Sequence, residues 1–112
     1  MRKSYIVSAK RTAIGSFLGG LATVKPKDMG SAVVKALLED ANVAPENVDE
    51  VICGNVLGAG LGQNIGRTIA LEAGIPETVC AHSVNMVCGS GLRTVMEAVM
   101  SIQCGFNDIV VA

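Results

Sequence analysis

Short apolar runs alternate along this chain with segments whose apolar residues recur at helical spacing, and that alternation constrains the fold more than any other feature. Residues 5–9, 48–57, 78–87 and 109–112 read as strands. They are near-continuously apolar, as strands are when a sheet is covered on both faces. Between the first two, Asp28 is a fair N-cap for a helix reaching about Asp40, with Met29, Val33, Ala36 and Leu37 on one face and Lys35 and Glu39 outside it. A turn at residues 44–47 leads into the second strand, and a Gly-rich turn at 58–62 opens a helix over about residues 64–73. Gly74 and Pro76 stop that helix. A third helix is expected over residues 89–103, ended by Gly105. The order β-α-β-α-β-α-β predicts an α/β domain: a parallel sheet with helices on both faces and right-handed crossovers. Ligands of such sheets bind beyond the carboxyl ends of the strands.

One residue type stands where that rule puts chemistry. Cys88 follows the third strand and precedes Gly89-Ser90-Gly91 and the apolar run from Leu92 to Met100. A thiol at the first turn of a helix faces unpaired backbone N–H groups and the positive end of the macrodipole. Both favour the thiolate, which is the nucleophilic form. The small residues after it let a substrate carbonyl approach the sulfur. The bland alternative is a small buried hydrophobe, the usual state of an intracellular cysteine. The strand-to-helix elbow of hydrolases is an architectural analogy only, because their Gly-x-Ser-x-Gly pattern is absent around Cys88.

Composition narrows the function classes. Half the residues are apolar, yet there are two Phe, one Tyr and no Trp, so helices must pack on the sheet through small aliphatic side chains. A net charge of −1 and the lack of a basic cluster argue against nucleic acid and against an acidic membrane surface. No run reaches transmembrane length, and Arg2-Lys3 leads straight into a short strand without the apolar core of a signal peptide. A cytoplasmic setting with reduced thiols is therefore expected. So greasy a chain of 112 residues should cover its faces with a further domain or subunit. Its final strand lacks a covering helix, so the chain is expected to stop inside a larger fold.

Several features carry rival readings. Cys53, Cys80 and Cys104 sit inside apolar runs and read as core thiols; without Cys-x-x-Cys spacing, and with one histidine, no metal site is expected. Gly58, Gly60, Gly62 and Gly66 never give the i, i+2, i+5 spacing of a dinucleotide fingerprint, so that turn reads as backbone needing positive φ or close approach. His82 lies six residues before Cys88, roughly 20 Å along an extended strand, and reads as a packing or interface histidine rather than a base. Arg93 reads as solvent-facing or salt-bridged in preference to a phosphate ligand. Asn85 and Ser90 are supporting residues of unassigned role.

Three segments carry a family resemblance. The run from Val84 to Val95, with Cys88-Gly89-Ser90-Gly91 at its centre, resembles the nucleophile segment of thiolases, which make or cleave a carbon–carbon bond between acyl-CoA units. Ile6 to Gly15 resembles that family's opening strand and turn. Gly54-Asn55-Val56-Leu57, Gly60 to Asn64, and Arg67 resemble its second strand and following turn. Cys88-Gly89-Ser90-Gly91 is closer to the biosynthetic acetyl-CoA acetyltransferase branch than to the long-chain degradative one.

The resemblance implies that residues 1–112 are an incomplete thiolase N-terminal domain, roughly the first third of such a chain. It implies a catalytic Cys88 that takes an acetyl group from acetyl-CoA, the backbone N–H of Cys88 as an oxyanion donor, and condensation with a second acetyl-CoA to acetoacetyl-CoA. Coenzyme A thioesters are then substrates, with no separate cofactor, and the full-length protein is expected to be a homodimer or homotetramer. The family's second cysteine, its activating histidine, its Asn-linked water and its CoA-gripping loop have no counterpart in residues 1–112. The isolated chain is therefore expected to be inactive. The alternative reading is a non-catalytic module that docks onto another chain.

Overall fold

The computed structural model describes all 112 residues and shows a three-stranded parallel sheet between helices. The strands are β1 (Glu50–Gly54), β2 (Cys80–Val84) and β3 (Val110–Val111), in the order β2-β1-β3. Glu50 pairs with Cys80 on one side and with Val110 on the other. The helices are α1 (Pro26–Ala41), α2 (Ile65–Glu72) and α3 (Ser90–Gln103), and a 3-10 turn spans Pro45–Asn47. The α/β class, the parallel strands and the helices on both faces match the sequence reading. None of the helices is long and apolar enough to cross a membrane.

Side-chain alternation along β1 divides the core. Val51 joins a cluster with Val34 and Leu38 of α1 and Ile65, Ile69 and Ala70 of α2, closed by Val48, Ala73, Ile75 and Val79. Ile52 and Gly54 point the other way, toward α3. A Cβ on Gly54 would lie 2.8 Å from the Gly91 nitrogen, closer than unbonded atoms sit, so α3 rests directly on the end of β1. That close approach decides which side of α3 turns inward. Ser90, Thr94 and Ala98 face the sheet, while Leu92, Met96 and Met100 stay exposed. The Thr94 hydroxyl donates to the Gly91 carbonyl at 2.7 Å, satisfying itself within the helix.

Five expectations change. Residues 5–9 are not a strand. No backbone–backbone hydrogen bond joins residues 1–15 to the sheet, and Tyr5, Ile6 and Val7 are 74–80% exposed. A strand exists only through a ladder partner, and β3, the free edge on that side, is two residues long. The segment is held instead by side chains: Ser8 donates to Asp40 at 2.6 Å, Lys10 pairs with Asp40 at 3.0 Å, and Arg2 pairs with Asp108.

The first helix begins at Pro26 and not after Asp28; Lys25 holds the cap position without a side-chain cap bond. Proline at the first helical position has no N–H to leave unpaired. The face of α1 that is buried is Ser31, Val34 and Leu38; the last two lie one residue on from the expected Val33 and Leu37. The strands are shorter than their apolar runs, since pairing and not hydropathy ends a strand. Finally, Cys80 and Cys104 are exposed and not core thiols. Cys80 opens the edge strand β2, and Cys104 lies just past the last turn of α3.

Candidate active site

The site grows from the short connection between β2 and α3. At its floor the Asn55 N–H donates to the Val84 carbonyl at 3.0 Å, tying the exits of β1 and β2 together. The chain then turns within five residues. The Gly89 N–H donates to the Met86 carbonyl at 3.0 Å and the Ser90 N–H to the Val87 carbonyl at 3.1 Å. Val87 takes φ +48°, a left-handed conformation that a β-branched side chain adopts only under constraint.

Both peptide groups of Val87 are held. Its N–H donates to Asn85 Oδ1 at 3.0 Å, and its carbonyl accepts from the Ser90 hydroxyl at 2.6 Å. The same hydroxyl accepts the Met86 N–H at 2.8 Å, so the buried Ser90 uses both its donor and its acceptor. The Asn85 amide also donates to the Val56 carbonyl at 3.4 Å, reaching the loop that follows β1.

Cys88 follows Val87, exposed, two residues before α3 begins. The peptide N–H groups of Cys88, Gly91 and Leu92 donate to no backbone carbonyl. They are free donors at the positive end of the helix. Beside this connection lies an open cleft of about 220 Å³ lined by Asn55, Val56, Leu61, Gln63, Ser83 and Asn85. A larger cavity of about 460 Å³ lies between α1 and the 3-10 turn, lined by Lys35, Leu38, Glu39, Asn42, Pro45 and Ala73, and holds no cysteine.

The remaining sequence candidates sort by contact. His82 does not turn toward Cys88. Its Nδ1 lies 3.3 Å from Glu50 and its Nε2 3.3 Å from Glu97 of α3, so carboxylates take both ring nitrogens, in keeping with its reading as a packing histidine. Arg93 is salt-bridged: its Nε donates to Glu97 at 2.8 Å. The Arg93 hydrogen bond, with that of His82, holds the Glu97 carboxyl below the usual glutamate range. Asn64 caps α2, accepting the Arg67 N–H at 3.1 Å and the Ser83 hydroxyl at 3.0 Å while donating to the Ala81 carbonyl at 2.9 Å. Gly60 and Gly62 take positive φ, as the glycine-rich turn required. The half-buried Cys53 has its thiol pushed up by burial.

Sequence reasoning did not find the strain at Val87 or the Glu50–His82–Glu97 bridge. An Asn two residues before a turn position is the one signal that pointed to the first. The second joins residues far apart in the chain and has no local signal.

Fold and site together define a parallel-sheet α/β protein with an exposed thiol where a strand hands over to a helix. A family model described as the thiolase N-terminal domain matches residues 4–112. An acetyl-CoA acetyltransferase of Escherichia coli K12 is 53% identical over the whole chain, which covers 28% of that protein. The cytosolic acetyl-CoA acetyltransferase of Mus musculus is 56% identical over 96% of the chain and 27% of its own length. The crystal structure of Acat5 thiolase from Ascaris suum in complex with coenzyme A superposes with a TM-score of 0.90 at 34% identity, over 95% of this chain and 28% of that one. The chain belongs to the thiolase family. It corresponds to the N-terminal portion of those proteins and spans little more than a quarter of the relatives' length.

Proposed function

We propose that Cys88 is the acyl-accepting nucleophile of an acetyl-CoA C-acetyltransferase. The observation that carries this reading is an exposed Cys88 two residues before α3, at the end where the helix leaves N–H groups without carbonyl partners. The Cys88 thiolate attacks the thioester carbon of acetyl-CoA. The carbon–sulfur bond to coenzyme A breaks and coenzyme A leaves as the thiolate, which takes up a proton. The Cys88 N–H donates to the oxyanion that develops on the way; one such donor is often worth about 3 kcal/mol. A second acetyl-CoA, deprotonated at its methyl carbon, then attacks the acyl carbon. The new carbon–carbon bond forms as the bond to Sγ breaks, which gives acetoacetyl-CoA and restores the thiolate. Thiolysis is the reverse, and covalent catalysis divides one hard step into two easier ones.

With His82 taken by Glu50 and Glu97, the proton-transfer groups of the second step are expected outside residues 1–112, and the isolated chain is expected not to turn over. Coenzyme A thioesters are the substrates in this reading and no separate cofactor takes part. The setting in this reading is cytoplasmic; the mouse relative is named as a cytosolic enzyme. Assembly as a homodimer or homotetramer is supported by the open edge of β2.

Intact mass before and after acetyl-CoA, with peptide mapping, tests the reading. A single acetyl adduct on Cys88 is expected in a chain carrying the family's remaining elements. An adduct elsewhere, or an undiminished one in Cys88→Ala, would sink it. The exposed stripe Leu92, Met96 and Met100 favours a second reading, a non-catalytic module docking through α3. Cys88 that takes no acetyl group in the longest natural chain would leave that reading standing.

A further inference from the structure

We infer that Asn85 and Ser90 are positioning residues for the acyl-transfer step, acting through the backbone of Val87. The inference rests on Cys88 being the nucleophile and goes beyond it, since neither side chain needs to touch the substrate. Val87 is 63% exposed, so its side chain gains little by packing, and nothing in its own chemistry favours φ +48°. In an extended conformation at this position the backbone would carry Cys88 onward in the direction of β2, away from the start of α3. The left-handed turn breaks that direction within one residue and sets Cys88 two residues before α3. Two side chains keep it there from opposite sides: Asn85 Oδ1 on the Val87 N–H, and the Ser90 hydroxyl on the Val87 carbonyl.

The two clamps are anchored differently. Ser90 is buried and belongs to the first turn of α3, which cannot move down because Gly54 lies directly beneath it. Asn85 is fixed to the β1 exit loop through the Val56 carbonyl. The turn carrying the thiol is therefore registered against both β1 and α3, and the sulfur inherits that register. Reactions of this kind lose rate steeply when an attacking atom is misplaced by about 1 Å, on the order of a hundredfold.

The test uses the longest natural form of the chain and reads the single-turnover acetylation rate of Cys88, with KM for acetyl-CoA measured beside it. Ser90→Ala is expected to slow acetylation roughly ten- to a hundredfold while KM changes little. Asn85→Ala is expected to do the same. Asn85→Asp, which keeps the acceptor for the Val87 N–H but loses the donor to the Val56 carbonyl, is expected to fall between Asn85→Ala and the native rate. Glycine takes positive φ without strain, so Val87→Gly placed on Ser90→Ala is expected to restore most of the lost rate.

Asn85 is exposed, so its two variants decide the matter even if Ser90→Ala does not fold. Wild-type acetylation in Asn85→Ala overturns the inference, as does Asn85→Asp slowing as far as Asn85→Ala. A Ser90→Ala, Val87→Gly double variant as slow as Ser90→Ala overturns it too. Undiminished acetylation of Cys88→Ala would remove the nucleophile reading and this inference with it. Acetylation confined to Cys88, together with normal rates in the clamp variants, would remove the inference alone.

Discussion

Val87 and Gly54 are the two residues on which the placement of Cys88 turns, and they act by opposite means. Val87 occupies a conformation its side chain disfavours, while Gly54 is where a side chain has no room. Adding a methyl group in Gly54→Ala would set a Cβ against the Gly91 nitrogen and the Ser90 carbonyl carbon, each at 2.8 Å. These are backbone atoms, so the first turn of α3 must lift. The expected loss is about 1–3 kcal/mol in urea denaturation, the usual penalty for overpacking. Unchanged stability would show that α3 is not seated on β1. The four thiols give a second residue-scale expectation. Cys53, half-buried and with its thiol pushed up, is expected to react with iodoacetamide more slowly than the exposed Cys80 and Cys104. Cys88 is expected to outrun those two, which are also exposed and so serve as controls for the effect of the helix mouth. Equal rates at Cys80, Cys88 and Cys104 would support a thiol without activation.

Among the elements, α2 depends on a single side chain. Asn64 caps the helix, accepts from Ser83 on β2 and donates to the Ala81 carbonyl. Asn64→Ala removes the cap and leaves that strand carbonyl without its donor, so a loss of about 2 kcal/mol is expected in thermal unfolding. A change within a few tenths would mean that water replaces the asparagine. The helices were legible in the sequence because glycine stops and helical spacing are local signals, whereas the cap read at Asp28 was not the one used. Their rotation was less so. The expected inner face of α1 was Met29, Val33, Ala36 and Leu37, but Ser31, Val34 and Leu38 are the buried residues. On α3 the large side chains Leu92, Met96 and Met100 face out because the sheet beneath admits only small ones. Both orientations arise from the distance to a neighbouring element, which no window of sequence contains.

For the molecule as a whole, paired carboxylates set the response to acid. Asp40 is held below its usual range by the hydroxyl of Ser8 and by Lys10, Glu72 by Lys27, and Glu97 by Arg93 and His82. A carboxyl depressed in the folded state takes up a proton on unfolding. Its contribution is present above its unfolded pKa and is lost as pH falls through the folded one. Stability is therefore expected to decline as pH drops below the ordinary carboxylate range, and Glu97→Gln to flatten part of that decline in denaturation curves taken from neutral to acid pH. Lys27, raised chiefly by its hydrogen bond to Glu72, acts at the other end; its share is lost as pH rises through its folded value. A pH-independent midpoint across the acid range would mean these pairs are too solvated to matter.

The α/β class, the order of helices and strands over residues 26–112, the family, and Cys88 as the candidate nucleophile are all legible in the unfolded chain. Each of these is written in local periodicity or in a contiguous motif. Folding alone reveals that residues 5–9 form no strand, that Cys80 and Cys104 are exposed, and that His82 lies between Glu50 and Glu97. It also reveals that Val87 is held in a left-handed turn by Asn85 and Ser90. Pairing, exposure and strain are properties of two segments brought together, and a single stretch of chain carries no record of the other.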